Sequence, residues 1–508
     1  MTALLMTAGI LIVAIGIILS IALHEIGHLV PAKLFKVRVT QYMVGFGPTL
    51  WSKRRGETEY GVKAVPLGGY VAMIGMYPPP EQIGAGDVES SDEDDELGEA
   101  EAEPADVGST DTGPIDPYLR EIGAQYAEPE PDPELEPASP QRPAATRTVS
   151  SQSTGLFQQL SSEAREVASE ELRAGDEERM FYRLPVAKRI IVMLGGPAMN
   201  GLIALGLTAG MISFHGTAEP TTEVREVFEC VITADAADTG QSECAEGDPA
   251  GPAYEAGLRP GDEVVSYGGQ QVDDWEELTD LIRASAGSST EIVYLRDGEE
   301  TTTSLTPILT ERPVVDTLGR AERTSGGSMI TEPVGFIGMG AEQELVRQPA
   351  WEAGPMVWEQ SKAVLGVVAN LPVRLYEVGV STFTEADRDP DGPLSVVGVG
   401  RIAGELSVQE EIPLESRFAS LISLVAGVNV ALMVFNLIPL LPLDGGHVAG
   451  ALYESLRRRL AKLLGRPDPG PFDISKLLPL TYVVAGLLLL MGVLLIYADI
   501  VNPIRLFE

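Results

Sequence analysis

The sequence predicts a polytopic α-helical membrane protein with four transmembrane helices, a β-element after the first, and an α+β domain inserted between the second and third. Three observations carry this. Charge-free apolar runs at about 4–23, 190–214, 418–443 and 477–498 are each long enough to cross a hydrocarbon core about 30 Å thick. Residues 37–76 alternate apolar and β-branched side chains between glycines, the period of strands. Residues 251–307 hold turn signals, a helix-like segment at 275–284 and strand-like segments at 291–296 and 300–305.

The first run ends in His24-Glu25-Ile26-Gly27-His28. At 3.6 residues per turn the two histidines share one face and can reach a single ion, while Glu25 is placed to handle a water beside it. A five-residue pattern can arise by chance. Ionisable groups in an apolar span cost up to about 3 kcal/mol each, however, which disfavours chance placement and favours a metal site. The β-element at 37–77 follows, ending in Gly68-Gly69-Tyr70, where glycines let another backbone approach closely.

The 508 residues are 44% hydrophobic and carry a formal charge of −38, which does not suit one compact soluble domain. The acid is concentrated: residues 81–180 hold 27 acidic and 6 basic side chains, 21 of the 38 net negative charges. The segment 78–180 cannot bury a core and is expected to be disordered, with a short helix near 161–173. A solvated linker is the preferred reading over a regulatory or partner-binding tail, and the acidic excess argues against a nucleic-acid partner.

Lysines and arginines set the orientation. Lys33, Lys36, Arg38 and Lys53-Arg54-Arg55 follow the first span, Lys188 and Arg189 lead into the second (186–214), and Arg457-Arg458-Arg459, Lys462, Arg466 and Lys476 lie in the loop 448–476. Both stretches are expected on the cytoplasmic side, together with the acidic insertion. The termini, including the tail 501–508, and the region 215–416 then face outward. There Cys230 and Cys244 can pair in an oxidising compartment, though their separation does not prove it.

Within the outer domain at 215–310, Ala256-Gly257-Leu258-Arg259-Pro260-Gly261-Asp262 resembles the turn into a strand of a bacterial PDZ domain, a fold that takes an extended peptide as an added strand. A connector at 311–416 follows. It contains an amphipathic helix over about 351–378, with Val357, Val364, Val368 and Leu371 at helical spacing, which can lie on the outer membrane surface or pack on the outer domain, the preferred reading.

A catalytic zinc takes three protein ligands and leaves one position open. The third span, at 417–447, ends in Asn436-Leu437-Ile438-Pro439-Leu440-Leu441-Pro442-Leu443-Asp444-Gly445-Gly446-His447 and runs in the same direction as the first. Asp444 therefore reaches the depth of His24 and is the preferred third ligand, with His447 read as a structural hydrogen-bonding residue. The fourth span covers 477–500.

Together, the pentad, Gly195-Gly196-Pro197-Ala198-Met199-Asn200 and Asn436 through Asp444-Gly445-Gly446 resemble the site-2 protease family of intramembrane zinc metalloproteases, in particular its bacterial RseP-type branch. The resemblance implies one Zn2+ per chain held by His24, His28 and Asp444, with Glu25 as catalytic base and Asn436 holding substrate near the metal. It implies a membrane-associated β-element whose Gly68, Gly69 and Tyr70 align the substrate as a strand. It also implies an inner-membrane location and substrates such as single-pass anti-sigma factors already shortened outside by a site-1 protease, or remnant signal peptides. That branch carries two tandem PDZ domains, whereas only one such module is legible here. A non-catalytic membrane scaffold built around the PDZ-like module is the alternative; a transporter would call for more polar residues facing one another within the spans.

Overall fold

The computed structural model describes residues 2–76, 175–232, 244–314, 330–384, 388–389, 392–472 and 474–504. The expected disorder over 78–180 and the short helix near 161–173 lie outside the described residues, save for the end of that segment. Helix α1 (Thr2–Leu34) continues ten residues past His24, so the pentad lies within the helix and not at its end.

Strands β1 (Val39–Arg55) and β2 (Thr58–Met73) are long and pair with each other twice. Gln41 faces both Glu59 and Ala72, Val44 faces both Val62 and Gly69, and Val62 also faces Trp51. This double register lays four segments side by side in the order 49–55, 58–63, 41–46, 69–73 and leaves 69–73 at one edge. The sheet is fastened to α1 by burial of Val39, Tyr42 and Val44 against Leu29 and Ala32, and by the Tyr42 hydroxyl donating to the Ala22 carbonyl at 2.8 Å.

Helix α2 (Val186–Phe214) crosses α1 at glycines. A Cβ on Gly27 would come within 2.2 Å of the Gly195 carbonyl oxygen, and one on Gly195 within 2.0 Å of that of Gly27. Lipid gives apolar helices little reason to associate, so such close backbone approach supplies the packing.

The inserted α+β domain starts with β3 (Thr217–Val227) and a short turn of helix α3 (Pro252–Glu255). It continues through β4 (Glu263–Tyr267), β5 (Gln270–Gln271), α4 (Trp275–Ala284), β6 (Thr290–Arg296) and β7 (Glu299–Leu305). Asp274 caps α4 by accepting from the Glu277 amide. Strands β8 (Ile308–Pro313) and β9 (Thr331–Phe336) form a hairpin, and β10 (Met339–Val346) then pairs with β3, giving the order β10-β3-β4-β6-β7 with β5 beside β4. Val264, Leu278, Ile292 and Tyr294 fill the core together with Ile337 and Met339. The domain therefore runs to 346 and not to the expected 310, because its strand beside β3 comes from more than a hundred residues further on.

The connector also departs from expectation. The helix expected over 351–378 is two, α5 (Ala353–Ala369) and α6 (Leu371–Phe383), bent by 72° at Asn370. Pro372, in the first turn of α6, cannot continue a helix from before it. α5 packs on α2 and on the helix Leu414–Asn436, not on the inserted domain as expected. Helix α7 (Val396–Val408) lies against α1.

Helix α8 (Leu414–Asn436) is the third long apolar helix, and it ends before the expected 447. Pro439 and Pro442 interrupt the backbone, and a new helix, α9 (Asp444–Leu463), begins at Asp444. The expected loop at 448–476 is thus largely helical. Helix α10 (Leu478–Val501) follows. By length and composition four described helices can cross a membrane, or up to five if α5 and α6 together form one broken span.

Candidate metal centre

Four positions apart on one face of α1, His24 and His28 bring their Nε2 atoms within 3.2 Å of each other. Oδ2 of Asp444, at the start of α9, lies 3.4 Å from Nε2 of His24 and 3.3 Å from Nε2 of His28. Ligands about 2.0–2.1 Å from a tetrahedral zinc stand about 3.3 Å apart, so these three separations have the size of tetrahedral edges. Oδ2 of Asp444 is buried and has no hydrogen-bond donor among the described residues. The donor set therefore fits a metal ion, with two imidazole nitrogens and one carboxylate oxygen converging on one point.

The far sides of both imidazoles are held. Nδ1 of His28 donates to the Val192 carbonyl at 2.8 Å, which leaves Nε2 with its lone pair. The side-chain amide of the fully buried Asn200 lies 3.0 Å from Nδ1 of His24. Gly196 supplies the floor: a Cβ there would stand 2.2 Å from Nε2 of His28 and 2.6 Å from Nε2 of His24, in the space an ion needs. Sequence reasoning gave Asn200 and Gly196 no role of their own. The available signal was a lone amide and a glycine pair in an otherwise apolar span.

Glu25 is buried beside the cluster, and the edge segment of β2 presses on it: a Cβ on Gly69 would lie 2.8 Å from Cγ of Glu25 and 3.0 Å from its Oε1. Gly68 has φ +142°, and Tyr70 stacks on Phe46 while donating to Gln41 at 3.1 Å. Asn436 sits at the end of α8, its Nδ2 donating to the Leu432 carbonyl of its own helix. The structure thus gathers His24, Glu25, His28, Asp444 and Gly69 and leaves Asn436 bonded within α8. His447 lies one turn into α9, and its buried Nδ1 has no hydrogen-bond partner among the described residues. Cys230 and Cys244 are bonded as a disulfide, with Cα atoms 5.8 Å apart.

Peptidase family M50 matches residues 12–465. This chain belongs to that family, the site-2 proteases. Zinc metalloprotease Rip1 of Mycobacterium tuberculosis (strain H37Rv) is 31% identical over 98% of this M50 chain and 99% of its own length. Zinc metalloprotease Rip1 of Mycolicibacterium smegmatis is 29% identical over 98% and 99%. Zinc metalloprotease RasP of Geobacillus kaustophilus is 24% identical over 85% and 86%. The M50 chain is a zinc metalloprotease, and its apolar helices make it a multi-pass inner-membrane protein.

Proposed function

We propose that this metalloprotease hydrolyses a peptide bond within the transmembrane segment of a single-pass membrane protein. The observation that supports it most is the contact of Glu25 with Gly69 on an edge segment that has no second neighbour strand among the described residues, beside the convergent His24, His28 and Asp444. A transmembrane helix hides its carbonyls in i→i−4 bonds and must unwind before attack. The edge at 69–73 offers an unwound segment backbone partners, and Gly68, Gly69 and Tyr70 line that position.

In this reading His24, His28 and Asp444 hold the zinc, which supplies a Lewis acid that polarises a carbonyl and acidifies water to a pKa of about 7. Glu25 takes the proton of the attacking water and delivers it to the leaving amine. Asn200 and the Val192 carbonyl keep the imidazoles in the tautomer that binds metal through Nε2. Asn436 steadies the substrate as the chain leaves α8.

In the same reading both termini and the outer domain are extracytoplasmic and the acidic insertion is cytoplasmic. The outer domain, PDZ-like in its turn at 256–262, then excludes substrates with bulky outer portions, so that those admitted, of the anti-sigma factor type, have first been cut by a site-1 protease. Co-expression with a tagged single-pass protein lacking its outer domain tests this. Wild type should consume the substrate, and Glu25→Gln should slow its loss by about 10²-fold or more while retaining zinc. Equal loss in both would overturn the proposal.

A further inference from the structure

We infer that Arg189 and Glu454 are positioning residues for the metal site, their buried ion pair setting the register of the helix that begins at Asp444. The inference rests on the reading of Asp444 as the third ligand. Arg189 lies in the first turn of α2 and Glu454 in the middle of α9. The residues are 6% and 1% exposed. The guanidinium meets the carboxylate with both arms, at 3.0 Å and 2.7 Å. Glu454 also accepts from the Phe472 amide at 3.1 Å and faces Arg458 at 3.3 Å, so one carboxylate joins α2, α9 and the segment leading to α10.

Asp444 needs such a fixture. The residues before it, 437–443, contain two prolines and form no helix; they fold against the first turn of α9, where a Cβ on Gly445 would lie 2.3 Å from the Ile438 carbonyl oxygen and one on Gly446 2.6 Å from the Leu441 amide nitrogen, so that turn moves with the helix. The height of Asp444 against the other ligands then depends on how α9 packs on α2, the helix that also carries Gly196, Asn200 and Val192. Glu454 is ten residues along α9 from Asp444, about 15 Å at the helical rise, and Arg189 is seven residues, about 10 Å, from Gly196. α9 is thus held at two levels, by Asp444 beside the histidines of α1 at one and by the ion pair to α2 at the other. Sliding α9 by one residue would move Asp444 by about 1.5 Å and turn it by about 100°, far outside the tolerance of about 0.2 Å for a ligand bond. Buried ion pairs are poor stabilisers compared with apolar pairs of similar volume, and fixing register is their best-attested use.

The test measures zinc dissociation constants by chelator competition on the full-length protein in detergent, for wild type, Asp444→Ala, Glu454→Gln and the combination of the last two. Asp444→Ala should weaken zinc binding; if it does not, the ligand reading falls and takes this inference with it. With Asp444 a ligand, Glu454→Gln should weaken zinc at least about tenfold in the wild-type background and less than about twofold when Asp444 is already alanine. The same factor in both backgrounds, or no effect in either, would overturn the inference. A second variant covers loss of folding by Glu454→Gln. The apolar pair Arg189→Met with Glu454→Leu should fold and yet bind zinc weakly, and wild-type affinity in that variant would overturn the positioning role.

Discussion

The side-chain amide of Asn200 lies 3.0 Å from Nδ1 of His24, inside a helix whose other neighbours of the site are glycine, proline and apolar residues. With Nε2 of His24 turned toward His28 and Asp444, Nδ1 carries the proton, and its acceptor must be the amide oxygen. The two ends of an amide exchange by a flip, and the Asn200 oxygen has no other partner. Asn200 thus does for His24 what the Val192 carbonyl does for His28. Asn200→Ala should lower zinc affinity by about 10–100-fold, roughly 1.4–2.7 kcal/mol. Asn200→Asp, which keeps an acceptor, should retain most of it. Zinc titration of the purified proteins decides between these outcomes, and equal affinities for Ala and Asp would dismiss the orienting role.

Gly196 makes a sharper prediction about space. A methyl group there would overlap Nε2 of His28 and Nε2 of His24, so Gly196→Ala should abolish stoichiometric zinc. The variant should still insert and fold, because the clash is with ring atoms at the cluster and not with backbone. Gly195→Ala instead drives a methyl into the Gly27 carbonyl and should cost about 1–3 kcal/mol of stability by separating α1 from α2. Metal content and thermal unfolding, measured together, should move in opposite patterns for the two substitutions.

The contrast between these residues shows what was legible in the chain. His24, Glu25 and His28 could be read because a local helical period places them, and Asp444 because its span was expected to end at the same face. Asp444 begins its own helix, which the run of apolar residues through 443 concealed, although Pro439 and Pro442 marked the break. Asn200, Gly196 and Arg189 matter through what they touch across helices, and no local period encodes that. Strand β10 was missed for a similar reason: its partner β3 is more than a hundred residues away, and glycines around it read as loop. The bend at Asn370 was legible in Pro372 and was passed over in favour of the apolar spacing from Val357 to Leu371.

In the inserted α+β domain, Asp262 is held by Arg296 through Nε and Nη2, both at 2.8 Å, and by the Arg259 amide at 2.7 Å. Burial pushes its carboxyl up, but these donors outweigh it and hold the group below its usual range. A carboxyl with a lowered folded value stabilises the fold fully above its unfolded pKa of about 3.9 and loses that stabilisation as pH falls through the folded value. Amide exchange in β4 of the full-length protein, corrected for its intrinsic rate, should therefore accelerate on acidification below about pH 4. In Arg296→Met the carboxyl loses its main partner and the acid dependence should flatten. An unchanged pH profile in that variant would detach Asp262 from the acid response.

Asp499, near the end of α10, is the most heavily engaged carboxylate in the apolar helices. It meets Arg388 in a pair only 1–2% exposed, and accepts from the Ser395 amide and hydroxyl and the Gly398 amide. Arg388 in turn donates to the Pro393 carbonyl at 2.8 Å. The pair thereby fastens the start of α7 to the fourth long apolar helix, and α7 packs on α1, which carries the pentad. Asp499→Leu leaves the guanidinium buried and unpaired and should cost about 3–5 kcal/mol. Replacing Arg388 as well, with Met, removes the stranded charge and should recover much of the loss, since an apolar pair can match a buried ion pair. The Ser395 and Gly398 amides would still lack their acceptor, so recovery should stop short of wild type by about 1–3 kcal/mol. Thermal unfolding in detergent of the two single variants and the double variant separates the parts. A double variant no more stable than Asp499→Leu would mean that the backbone bonds, and not the unpaired Arg388, dominate the cost.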